Sequence, residues 1–96
     1  IAHIMASEKL LEPKLVRKIK AAGGQCYKLV AVSITGFPDR TILLPGGRIY
    51  FAEIKTTGKK LRPTQEIMRK LLIGLGFRYF VIDSEESLEN CLKEIF

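Results

Sequence analysis

Three residues near the middle of this 96-residue chain have the types and spacing to act together: Asp39, Glu53 and Lys55. Two carboxylates can hold a hard divalent cation, and an ammonium beside them can steady developing negative charge. Around them run Gly36-Phe37-Pro38-Asp39, a short apolar run, the turn Pro45-Gly46-Gly47, a second apolar run from Arg48 to Ala52, and Glu53-Ile54-Lys55. This pattern predicts a β-hairpin with its charges at the end far from the turn. Glu53 and Lys55 are two apart on a strand, so both leave one face, together with Phe51 and Ile49. If residues 45–47 form a three-residue loop, Leu44 meets Arg48, Leu43 meets Ile49, Thr41 meets Phe51 and Asp39 meets Glu53. A two-residue loop would instead set Asp39 against Ile54. In the first register two acids oppose each other with Cβ atoms roughly 5 Å apart, which destabilises a sheet unless positive charge lies between them. A divalent metal and the Lys55 ammonium would supply that charge.

Pro38-Asp39, thirteen residues, then Glu53-x-Lys55 resembles the PD-(D/E)xK nuclease superfamily. The fuller string Gly36-Phe37-Pro38-Asp39-Arg40, Glu53-Ile54-Lys55 and Gln65 is similar to its VRR-NUC branch, and the likeness runs from Ser7 to the last helix. The resemblance implies a restriction-endonuclease-like core and metal-dependent phosphodiester hydrolysis. It implies Asp39, Glu53, Lys55, Gln65 and Glu12 as catalytic residues, with Asp39, Glu53, Glu12 and the backbone carbonyl of Ile54 as metal ligands. Oxygen-only ligation selects Mg2+ or Mn2+ over zinc. Glu12 is the helix-one acid by its distance from the glycine that ends the helix, with Glu8 as the alternative. Read without the resemblance, Glu12 is a first-turn acid favouring a helix N-terminus.

The elements that must position these residues follow from periodicity. Helix one is expected over 8–22, with Ser7 as N-cap, Leu11, Leu15, Ile19 and Ala22 as its apolar stripe, and Gly23-Gly24 as its stop. Pro13 suits a first turn, so the regular helix could begin near Glu12. A strand is expected over 25–32, broken by Lys28, which is either an edge residue or a DNA contact. Pro63 opens helix two at N1, placing Gln65 at N3. There Gln65 can cap the helix, or, by resemblance, reach the site to orient Lys55 or a metal-bound water. Ile67, Leu71, Leu72 and Leu75 are its expected buried stripe. A strand over 78–82 follows, then a last helix with Asp83 and Glu86 as capping box and Leu88, Cys91, Leu92 and Ile95 facing inward. The order α-β-β-β-α-β-α predicts an α/β fold, a mixed sheet flanked by helices.

The net charge of +6, from 16 Lys and Arg against 10 Asp and Glu, suits a polyanionic partner. The segment 56–62 concentrates part of it in Lys59, Lys60 and Arg62. With Lys28 and Arg40 these are the expected DNA-binding residues, though such a run is also a common solvated loop. No apolar run approaches a membrane span. Two cysteines, Cys26 and Cys91, without metal-ligand spacing, are expected as reduced core residues in a cytoplasmic protein; the resemblance implies a bacterial cell or phage-infected host. Residues 1–6 are expected to be a cloning remnant. They hold the only histidine, His3, so the single domain expected over 7–96 must work with carboxylates, Lys and water.

One such site nicks one strand, so resolving a four-way junction needs two, which a homodimer provides. The resemblance to short stand-alone VRR-NUC proteins implies such a homodimeric Holliday-junction resolvase. The alternatives are a flap or general DNA nuclease, a sequence-specific restriction-type nuclease, or a nucleic-acid-binding module that does no chemistry.

Overall fold

The computed structural model describes residues 8–96, with side chains from Leu10 onward. The remnant expected at 1–6, the Ser7 cap and the Glu8 side chain lie outside the described residues. Within them the order is α1 (Glu8–Ala21), β1 (Gln25–Tyr27), β2 (Arg40–Leu44), β3 (Arg48–Ile54), α2 (Pro63–Gly74), β4 (Arg78–Ile82) and α3 (Glu85–Ile95), the predicted α-β-β-β-α-β-α. α1 runs through Pro13 without restarting at Glu12.

The hairpin organises the sheet. Gly46 and Gly47 both take positive φ, 87° and 73°, which an L side chain resists. The turn they make sets the three-residue register: Leu44 pairs with Arg48, Leu43 with Ile49, Thr41 with Phe51 and Arg40 with Ala52. β1 and β4 complete a sheet of order β1-β2-β3-β4, antiparallel except for β3 and β4, which run parallel around the α2 crossover.

Alternation along the strands divides the core between the two faces. On one face Leu11, Leu15 and Ile19 of α1 and Leu88, Cys91 and Ile95 of α3 bury Ile42, Ala52, Ile54 and Ile82. On the other, Met68 and Leu72 of α2 cover Phe51 and Tyr79, with Phe37, Leu61 and Phe77 around them. Both cysteines are buried and unbridged. Burial pushes the Cys26 thiol up to about 11 and the Cys91 thiol up to about 12, so both stay protonated and inert.

Three sequence expectations fail locally. β1 ends at Tyr27 instead of Val32, because continuing its register would set Val30 against Pro38, which has no N–H to share. The α2 stripe is rotated: Gln65, Met68 and Leu72 are buried, whereas Ile67, Leu71 and Leu75 are 68%, 53% and 68% exposed. The cap of α3 is Ser84 with Ser87, each hydroxyl accepting the other residue's backbone N–H at 3.0 Å, one position later than Asp83 and Glu86.

Candidate active site

Asp39 is the residue before β2, and the hairpin register carries it to Glu53 at the end of β3. The two are joined through both backbone and side chains. The Asp39 backbone N–H donates to Glu53 Oε1 at 3.2 Å, and the Ile54 N–H donates to Asp39 Oδ2 at 2.8 Å. Glu53 is 3% exposed. Lys55, just beyond the strand and 9% exposed, holds its Nζ 4.0 Å from Glu53 Oε2, while its own N–H donates to the Ile82 carbonyl at 2.9 Å.

Gln65 caps its helix, as its position allows, and reaches the site at Glu53, where Lys55 or a metal-bound water is the expected contact. Its Oε1 accepts the Arg62 N–H at 2.8 Å as half of the helix cap, and its Nε2 donates to Glu53 Oε2 at 2.8 Å. The start of α2 and the acid on β3 are therefore coupled through one side chain. Gly36 locks the same corner from the other side. It has φ +83°, and a Cβ there would lie 2.4 Å from the Thr64 carbonyl oxygen. Only glycine lets the chain entering Pro38-Asp39 pass so close to the first turn of α2. Pro38 is fully buried, and Phe37 packs edge-on against Phe51 with ring centroids 5.6 Å apart.

The electrostatics follow from this packing. The Glu53 carboxyl is pushed up to about 7, first by burial, then by the facing Asp39 charge and a side-chain hydrogen bond to Asp39. Lys55 and the Asp39 N–H pull the other way without overcoming them. Asp39 and Glu53 are the residues whose carboxylates could hold a cation here.

Glu12 is not gathered into this place. It lies on the α1 side of the sheet, where its Oε2 takes the Arg40 Nε at 2.6 Å and stands 3.7 Å from Lys28 Nζ. Among the described residues no group of three or more His, Cys, Asp or Glu side chains comes together. The reason is strand alternation: Arg40 leaves β2 on the face opposite Asp39 and draws Glu12 there. Arg40, expected on DNA, is committed to that pair and to the Cys26 carbonyl at 3.0 Å. Lys28 keeps a largely exposed side chain, and Lys59, Lys60 and Arg62 are all exposed beyond Lys55.

Sequence reasoning passed over two hydroxyls. Thr41 Oγ1 and Tyr79 OH are buried without a hydrogen-bond partner among the described residues. Both flank Phe51 in one row across the sheet, beside the row holding Asp39 and Glu53. Burial and the charges of Glu53 and Asp39 raise the Tyr79 phenol well above its ordinary value. The only available signal was register, since Thr41 lies two residues from Asp39 on one face.

A cavity of about 310 Å³ adjoins Asp39, walled also by Lys28, Leu29, Val30 and Phe37. A second, also about 310 Å³, lies between Ile34 and the α2 residues Thr64, Ile67 and Met68.

No family model matches the chain. The curated protein "Putative nuclease p44" of Acyrthosiphon pisum secondary endosymbiont phage 1 is 38% identical over 79 residues, spanning 82% of this chain and 85% of the phage protein. A solved structure described as a VRR_NUC domain superposes with a TM-score of 0.86 at 26% identity, over 95% of this chain and 100% of the other.

Proposed function

This chain belongs to the VRR_NUC family and is a nuclease of that type, and on that premise we propose a structure-selective, divalent-metal-dependent DNA endonuclease that works as a homodimer on four-way junctions. The observation that supports the metal is the buried Glu53 carboxyl held against Asp39, raised to about 7 first by burial and then by the facing Asp39 charge. The donors fit a hard cation: the carboxylate oxygens of Asp39, just before β2, and of Glu53 on β3, with the Ile54 backbone carbonyl as the further oxygen the resemblance implies. Such an ion, Mg2+ or Mn2+, supplies an activated water and neutralises charge on the scissile phosphate.

The chain's own residues do the rest. Asp39 and Glu53 hold the site; the Asp39 N–H and the Gln65 amide fix the two oxygens of Glu53. Lys55 places a buried ammonium where negative charge grows on the phosphate, with its backbone tied to β4 so that little rearrangement is required. Lys59, Lys60 and Arg62 grip flanking phosphates and orient the strand. Nothing in this set reads a base edge, which favours shape over sequence as the target. A bacterial cytoplasm, in a cell or under phage infection, is the proposed location, supported by the phage relative.

The test is cleavage of a labelled panel of junction, flap, nicked duplex and single strand, with Mg2+ or Mn2+ and with chelator. Symmetric junction nicking that requires the metal is expected. Preference for flaps would replace the junction reading with that of a flap nuclease, and binding without cleavage would leave a non-catalytic module.

A further inference from the structure

We infer that the exposed apolar face formed by α2 and the segment after β1 is where a second copy of this chain docks, and that docking supports the wall of the active site. The inference rests on the homodimer reading above and adds which surface makes the dimer and how that surface bears on catalysis.

Ile67 and Leu71 of α2 and Leu75 at its C-cap recur at i, i+4 and i+8, and all three are exposed. Val30, Val32 and Ile34, in the segment where β1 leaves the sheet, are 85%, 98% and 52% exposed. The two groups are continuous: Ile34 lines the cavity shared with Ile67 and also the one shared with Asp39. Together they expose apolar surface on the order of 700–800 Å², above the largest patch of an ordinary monomer and near what each partner buries in a stable interface.

The chemistry of the face selects its occupant. It is aliphatic, with no cation and no aromatic plane among these six residues, so it offers nucleic acid neither phosphate pairing nor a stacking platform. The helical stripe is also symmetric about Leu71, with one branched side chain four residues before it and one four residues after. Two copies of α2 crossing antiparallel match Leu71 to Leu71 and Ile67 to Leu75, the self-complementary contact of a two-fold axis. A chain of net charge +6 meets its own copy with least repulsion where the contacting side chains are uncharged, as these six are. Because Lys28, Leu29, Val30, Ala31 and Ile34 of this segment wall the cavity beside Asp39, covering the segment's outer side steadies the site. The monomer is then a poor nuclease even for a single nick.

The experiment measures mass by light scattering and cleavage rate per chain on a nicked duplex, for wild type and for Leu71→Glu and Val32→Asp. Both substituted side chains are exposed, so circular dichroism should match wild type. At about 10 µM, within reach of interfaces of this size, wild type is expected at twice 10.8 kDa and both variants at 10.8 kDa. The per-chain rate should drop at least tenfold in the variants, and on dilution wild type should lose rate at the concentration where it dissociates. A monomeric wild type, or variants that stay dimeric, would overturn the assignment of the face. Variants that lose DNA binding without changing mass would mean the face contacts nucleic acid instead. Monomeric variants that nick at full rate would overturn the link to the site. A dimer that cuts nothing with any metal would leave the interface standing and remove the nuclease reading beneath it.

Discussion

At the scale of the residue, Glu53 is buried and held at both carboxylate oxygens, and its titration should be visible in stability. In the unfolded chain it loses its proton near 4.5, whereas in the folded protein it keeps it until about 7. Between those values the native state binds more protons than the unfolded state, so metal-free stability must fall as pH rises. Thermal melts across that range should show the decline, and Glu53→Gln should remove its share of it. Mg2+ or Mn2+ should raise the melting temperature most above pH 7, where the carboxylate is free to bind. The two contacts of Gln65 can be separated in the same way. Gln65→Ala loses both, and should cost about 1 kcal/mol in urea unfolding as well as activity. Gln65→Glu keeps an acceptor for the Arg62 N–H but sets a third acid against Glu53. It should retain most of the helix stability while cutting the cleavage rate at least tenfold.

At the scale of the element, the hairpin and the first turn of α2 meet at Gly36. Gly36→Ala combines a left-handed backbone with a Cβ 2.4 Å from the Thr64 carbonyl oxygen, and nothing there can yield except the backbone of α2. A loss of about 2 kcal/mol or more is expected in urea unfolding, with a fall in cleavage as Gln65 moves. Much of this corner was legible beforehand. The turn at 45–47 determined the register, the register brought Asp39 to Glu53, and Pro63 counted Gln65 to N3. What was not legible has one common cause, that a periodic pattern does not say what covers it. Ile67, Leu71 and Leu75 are as regular as a core stripe, but the sheet turns α2 so that Met68 and Leu72 face Phe51 and Tyr79 instead. The run 28–32 has strand composition but no partner to pair with, since Pro38 interrupts the neighbouring backbone. Glu12 fits the helix-one acid by spacing, yet spacing cannot show that Arg40 would meet it on the other face of the sheet.

At the scale of the whole molecule, the charge of +6 sets how the protein meets DNA. Log affinity should fall linearly with log salt, and replacing Lys59, Lys60 and Arg62 by Ala should flatten that slope by about 2–3, roughly 0.9 for each phosphate no longer neutralised. The equivalent replacement of Arg40 should leave the slope unchanged, because its guanidinium is held by Glu12 and the Cys26 carbonyl. Its cost should appear in stability. The measurement that bears most directly on the central claim is single-turnover cleavage of a labelled junction by wild type and Lys55→Ala, with Mg2+ or Mn2+ and with chelator. If the buried acids and this ammonium form the hydrolytic site, wild type cuts only with metal, and the variant folds and binds the junction but cuts at least about a thousandfold more slowly. A Lys55→Ala protein that cuts at the wild-type rate, or a wild type indifferent to chelator, would contradict it.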